Sequence, residues 1–213
     1  LGLSFVDLAN PSWFATDPPL AWGFYGHRLN LYRATTPHAG FGVLLDWAAR
    51  MKHGAFVFTS NVDGQFQKAG FSADRVIECH GSIHHLQCTS CSAAIWEAAG
   101  VEVEVDPETF RAEPPLPECP ACGELARPNI LMFGDWGWCD TRTRDQSARF
   151  ATWRRRVERP VVIELGAGSA IATVRYFGQS QDCPLIRINP VEWQVPRRTD
   201  VGIPAGALAG IKG

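Results

Sequence analysis

Two cysteine pairs constrain this chain more tightly than anything else in it. Cys88-Thr89-Ser90-Cys91 and Cys119-Pro120-Ala121-Cys122 each set two thiols across a tight turn. Such a turn presents both sulfurs to one side, and two turns together can wrap one tetrahedral ion. Pro120 and Gly123 favour that conformation in the second pair. Because protein fills all four positions, the expected site is a closed, structural zinc without a catalytic water. His84 and His85 could ligate a metal, but four cysteines make them unnecessary. Residues 84–133 are expected to form a zinc-binding unit, with the acidic, proline-rich Pro107–Pro117 as a surface loop. The other three of the seven cysteines, Cys79, Cys139 and Cys183, stand alone. That pattern suits zinc in a reducing compartment better than a disulfide framework, and a cytoplasmic location is expected.

Upstream, Ala55–Ser82 reads as strand, polar turn, short helix, strand, polar turn. The apolar run Ala55–Thr59 stops at Ser60-Asn61-Val62-Asp63-Gly64, and Arg75–Cys79 stops at His80-Gly81-Ser82. In a parallel α/β sheet the carboxyl ends of the strands face the ligand crevice. Asn61, Asp63 and His80 would meet there as a reaction centre. The plainer reading is an Asn-Asp-Gly turn beside a structural histidine. Downstream, Pro160–Asn189 reads as a βαβ unit with the turn Gly166-Ala167-Gly168-Ser169 between its first strand and a helix at Ile171–Gly178. Glycines let backbone approach a phosphate at a helix N-terminus, and Asn189 follows about 20 residues on, where a dinucleotide site has a ribose-binding group. Ile171 replaces the third glycine of the G-x-G-x-x-G fingerprint, so that motif is incomplete.

Two helices precede these segments. Pro18-Pro19 opens one over Leu20–Arg33, with Tyr25 and Arg28 three residues apart on one face. Arg28 can be a solvent-facing arginine with a buried stem, or it can join Tyr25 in binding a carboxylate. The other, Pro37–Met51, buries Phe41, Leu44, Leu45 and Ala48, and His38 at its start is structural. Arg127–Asp135 reads as an extended segment ending in a glycine turn, and Asp145–Val157 as a helix. With 213 residues, 46% of them apolar, the chain can build one domain with a smaller satellite. A net charge of -2 argues against a nucleic-acid partner held by bulk electrostatics. No apolar run has membrane-spanning length, and no secretory signal opens the chain. Starting at Leu1 without Met, the chain is expected to be a trimmed copy.

Thr59-Ser60-Asn61-Val62-Asp63-Gly64, then His80-Gly81-Ser82, then the two cysteine pairs, resemble in that order the sirtuins, the NAD-dependent protein lysine deacylases. The likeness runs from about Pro18 to the C-terminus. It implies an α/β fold, a Rossmann-like parallel sheet with a smaller lobe holding the zinc unit and a helical segment. The implied division is 1–36 for the helical part of the small lobe, 37–83 with 134–213 for the NAD-binding domain, and 84–133 for zinc. The cleft between would hold NAD and an acyl-lysine protein or peptide; neither nucleic acid nor membrane is implied. By resemblance, His80 is the general base on a ribose hydroxyl, Asn61 orients the ribose and a water, and Asp63 binds the nicotinamide amide. Ser60, Gly166, Gly168, Ser169, Asn189 and Pro190 also fall on cofactor-binding positions. Phe133-Gly134-Asp135 matches a Phe-Gly-Glu segment that pairs with the substrate as an added strand. Tyr25 and Arg28 match the Tyr-x-x-Arg pattern of the class that removes succinyl and malonyl groups. The implied products are nicotinamide, free lysine and an O-acyl-ADP-ribose.

This chain departs from the family twice. The family's opening strand, its Gly-Ala-Gly-Ile-Ser-type turn and its mobile cofactor loop are not in the sequence, and Ser60 stands where most members have Gln. Three other readings remain open: a plain deacetylase, an NAD-cleaving or ADP-ribosylating enzyme, and a non-catalytic zinc-ribbon interaction module.

Overall fold

The computed structural model describes residues 2–212. Leu1 and Gly213, the outer ends of the first and last expected segments, lie outside the described residues. The chain opens with α1 (Phe5–Leu8), α2 (Trp13–Thr16), α3 (Pro18–Ala34) and α4 (Ala39–Arg50). Next come β1 (Val57–Thr59), α5 (Gln65–Lys68), β2 (Val76–Glu78), β3 (Gly81–Cys88), β4 (Trp96–Glu97) and β5 (Ala126–Ile130). The remainder is α6 (Thr141–Arg154), β6 (Val162–Leu165), α7 (Thr173–Gln179), β7 (Leu185–Ile188), β8 (Val201–Ile203) and α8 (Ala207–Lys212).

These elements form two units. The first is Leu1–Thr36, Asn61–Gln65 and Glu78–Asp145; the second is Pro37–Ser60, Phe66–Ile77 and Gln146–Gly213. The sequence reading grouped 37–83 with 134–213, whereas here the turn at Asn61 and the stretch from Glu78 go with the zinc-bearing unit. The reason is local bonding: the Ile83 N–H donates to the Val62 carbonyl at 2.9 Å.

In the first unit α3 is the spine. Asp17 caps it by accepting the Leu20 N–H, and Pro18 and Pro19 occupy first-turn positions that need no donor. Trp22 and Leu29 are fully buried, and the Trp22 indole donates to the Ala126 carbonyl at 2.9 Å. Two glycines admit another segment to the helix. A Cβ at Gly23 would lie 2.1 Å from the Phe110 carbonyl oxygen, and one at Gly26 would lie 2.4 Å from Val103. Pro107–Pro117 is therefore not simply a surface loop. Its Ala112 is buried and donates its N–H to Pro19, while Phe110 and Leu116 pack on the core. The apolar residues interleaved with the acidic ones provide the inner face. β3 is the middle of an antiparallel sheet ordered β4-β3-β5. Its register shifts between Ser82 and Leu86, opposite Pro128, a residue with no N–H for the ladder.

In the second unit β6, β7 and β8 form a parallel sheet, and β1 pairs with β2. Glu164 and Arg187 face each other across β6 and β7 as a buried two-bonded ion pair, 2.5 and 3.1 Å. Phe58 stacks on Phe177 with ring centroids 3.7 Å apart. His38 caps α4 by accepting the Gly40 N–H on Nδ1, a structural role as expected. Phe41, Leu44, Leu45 and Ala48 are only half-buried, and Leu45 and Ala48 border a cavity. No helix among the described residues is long and apolar enough to cross a membrane.

Candidate functional site

His80 leaves β2 and enters β3 through a glycine that nothing else can replace. Gly81 has φ +79°, and a Cβ there would lie 2.0 Å from the Asn129 carbonyl oxygen. The His80 carbonyl accepts the Leu131 N–H at 2.9 Å, so the histidine backbone is held from both sides. Burial lowers the His80 pKa below the ordinary histidine value, which favours the neutral, proton-accepting imidazole. The Asn61–Asp63 turn is fixed at three points. Ile83 bonds Val62, Asp63 Oδ1 accepts the Gln65 N–H at 3.0 Å, and His84 Nε2 lies 3.0 Å from the Asp63 carbonyl oxygen. Gly64, at φ +67°, makes room for the His84 ring. Asn61 is exposed on this turn. Glu78 pairs with Arg142 inside the unit, and Thr143 donates to the Glu78 carbonyl at 3.1 Å, anchoring the strand end that carries Cys79 and His80. Burial raises the Cys79 thiol to about 12, which favours the protonated thiol over the nucleophilic thiolate.

On α3, Tyr25 is buried between Phe14 and Phe24, and burial keeps its phenol protonated. The Arg28 guanidinium lies 3.8 Å over the Phe24 ring and 5.5 Å from that of Phe5. Phe5 meets Phe133 edge-on at 6.2 Å. Arg28 and Phe133 are thus brought to one aromatic cluster. The extended segment is less free than its sequence suggests. Leu131, Met132 and Phe133 donate their N–H groups to His80, Asp135 and Ala9 respectively. The Asp135 carboxylate is buried against Arg127 and holds the turn, so its side chain faces inward rather than toward a peptide. Gly134, at φ +69°, forms the bend, and Trp136 just beyond it is fully exposed.

The four thiols of Cys88, Cys91, Cys119 and Cys122 converge within 4.8 Å of one another. Sulfur separations of 3.5, 3.6 and 3.7 Å match the roughly 3.8 Å expected for four thiolates about 2.3 Å from one zinc. Backbone N–H groups of Cys91 and Ser90 point at the Cys88 sulfur, with the Cys91 bond the main cause of its thiol falling to about 6. The donor set therefore fits a structural zinc and leaves no open position. His84 is spent on the Asp63 turn. Burial, then the Arg142 charge, lowers His85 to about 4, and its Nδ1 is buried without a partner among the described residues.

In the second unit the turn after β6 carries Gly166 at φ +66°. A Cβ at Gly166 or Gly168 would meet nothing within 4 Å, so this backbone lies open to a bound group. Asn189 is buried, and both ends of its amide are hydrogen-bonded. Its Nδ2 donates to the Ala167 carbonyl, and its Oδ1 accepts the Val191 and Glu192 N–H groups. It fastens the glycine turn to the loop after β7 instead of extending its side chain toward a ribose. Ser169 Oγ donates to Glu192 at 3.0 Å, and Pro190 is exposed. The helix after the turn starts at Thr173, later than Ile171.

Residues 3–149 match the model of the Sir2 family. The chain belongs to the Sir2 family. It is 38% identical over 128 residues to an NAD-dependent protein deacylase of Pseudomonas aeruginosa, covering 60% of this chain and 49% of that one. A namesake from Archaeoglobus fulgidus is 33% identical over 193 residues, 87% of this chain and 69% of the other. The chain thus spans about half to two thirds of these relatives' lengths. The crystal structure of a Sir2 homologue with NAD superposes with a TM-score of 0.69 at 27% identity, over 97% of this chain and 74% of that one. The open turn at Gly166 and Gly168 leaves room for a bound group, and the four thiols fit zinc. Sequence reasoning missed the buried partners of the Sir2 site, Arg142 for Glu78 and Arg127 for Asp135. Their one signal was arginine amid apolar or turn residues, which names no partner.

Proposed function

We propose that this Sir2 chain removes acyl groups from lysine side chains with NAD, giving nicotinamide, free lysine and an O-acyl-ADP-ribose. The observation that carries the reading is the locked His80. Gly81 against Asn129 fixes its backbone, burial keeps its ring neutral, and the Asn61–Asp63 turn is bonded to the strand that follows it. NAD, when bound, supplies the ribose carbon that receives the acyl oxygen as nicotinamide departs. His80 takes the proton from a ribose hydroxyl, a step for which a neutral imidazole is the right form near pH 7. Asn61 orients the ribose, and Asp63 shapes the turn and contacts the nicotinamide amide. Within the second unit, Gly166, Gly168 and Ser169 form an open turn suited to a phosphate-bearing group, with Asn189 positioning that turn. The peptide lies along Phe133 and Gly134, with Trp136 offering an exposed ring beside it. The unpaired thiols and the zinc site support a reducing, cytoplasmic location.

A finer reading follows from Tyr25 and Arg28. A succinyl or malonyl group carries a carboxylate that is costly to bury unpaired. The Arg28 guanidinium, held on the Phe24 ring beside a protonated Tyr25, supplies charge-assisted donors for it. Acidic acyl groups are thus the preferred substrates. The test is mass spectrometry of acetyl-, malonyl- and succinyl-lysine peptides incubated with NAD. Free-lysine peptide should accumulate fastest from the acidic acyl groups. Equal rates would leave plain deacetylation, and no free lysine would reject the reading.

A further inference from the structure

A cavity of about 450 Å³ lies wholly inside the second unit and takes no part in the chemistry above. Leu45, Ala48 and Phe71 line it with apolar surface, Trp153 contributes an indole, and Gly54-Ala55 contributes backbone. Its remaining charged or titratable lining is basic: Lys52, His53, Arg75 and Arg156, with no acidic residue among the lining. Residues leading into β1 and β2 build it, whereas Ser60 and His80 follow the opposite ends of those strands.

Two details make this a prepared site. Arg75 lines the cavity, while its Nη1 is buried behind that lining without a hydrogen-bond partner among the described residues. The Arg75 guanidinium also sits 5.9 Å from the Trp153 ring centroid, and that indole is itself fixed by donating to the His53 carbonyl at 2.7 Å. A positioned guanidinium, an anchored flat ring, an apolar floor and a basic rim are the components that recognise a planar anion. Asp74, the nearest acidic neighbour in sequence, is exposed and pairs with Arg149, leaving Arg75 uncancelled. We propose that this cavity binds a small aromatic anion, a flat ring bearing a carboxylate or phosphate. The ring lies against Trp153, Leu45 and Phe71, and the acidic group accepts from Arg75, with Lys52 and Arg156 closing over it.

Calorimetric titration of the protein with 2-naphthyl phosphate tests this, with 2-naphthoate, 2-naphthol and inorganic phosphate as comparisons. Saturable binding of both naphthyl anions is expected, with 2-naphthol and inorganic phosphate each at least about tenfold weaker, since the site needs both ring and charge. Arg75→Met keeps the stem and removes the donors, and should weaken 2-naphthyl phosphate about tenfold or more. Lys52→Met, at an exposed position that cannot disturb the core, should weaken it by a smaller factor. Excess NAD should leave the naphthyl titration unchanged. Absence of saturable binding, indifference to both substitutions, equal binding of inorganic phosphate, or displacement by NAD would each overturn the assignment.

Discussion

His80 and Gly81 show what a single residue decides here. Because burial lowers the His80 pKa, the imidazole of the proposed base stays neutral down through the ordinary value of about 6.5 and is protonated only below it. The acid limb of kcat/KM should therefore fall below pH 6.5, with a flat profile from there to neutrality; a limb centred above 6.5 contradicts the assignment. His80→Ala should lower turnover by about 10²-fold or more, the range for losing a general base. Gly81→Ala combines a left-handed backbone with a Cβ 2.0 Å from a carbonyl oxygen, and roughly 3 kcal/mol or more of stability should be lost in urea unfolding. The candidate residues stood out in the sequence because reactive types clustered after apolar runs. Their commitments were not. Asn189 reads as a ribose ligand, yet three hydrogen bonds to its own neighbourhood turn it into a clamp. Such local bonds leave no compositional trace.

Among the elements, the zinc unit was the most legible, since two Cys-x-x-Cys turns can converge on one ion in few ways. Cys119→Ala should release zinc, measured by metal analysis, and unfold the surrounding unit, because structural zinc supplies on the order of 10 kcal/mol of folding free energy. Well-folded protein without zinc would contradict this. α3 was also legible, from Pro18-Pro19 and its apolar spacing, but the segment lying on Gly23 and Gly26 was not. Proline and acidic content in 107–117 signals a loop, while Val103, Phe110 and Ala112 pack inward only because two glycines leave space. On the same helix, Arg28→Met should lower kcat/KM for succinyl-lysine by about tenfold or more while sparing acetyl-lysine, the loss of a charge-assisted bond. An unchanged ratio rejects the acidic-acyl pocket.

At the scale of the whole molecule, apolar runs ending in polar or glycine turns made β1, β2, β6 and β7 readable, whereas the antiparallel pairing of β3 with β4 and β5 was not. The division into units was harder to read, because the turn at Asn61 is adjacent in sequence to one unit and bonded to the other. The central claim is that the chain couples NAD cleavage to removal of an acyl group from lysine. The most direct measurement is mass-spectrometric quantification of products from the protein with NAD and acyl-lysine peptide, with and without the peptide. The account predicts peptide-dependent release of nicotinamide, matched one to one by O-acyl-ADP-ribose and free lysine. Free ADP-ribose formed equally without peptide, or ADP-ribose attached to protein in its place, would contradict it.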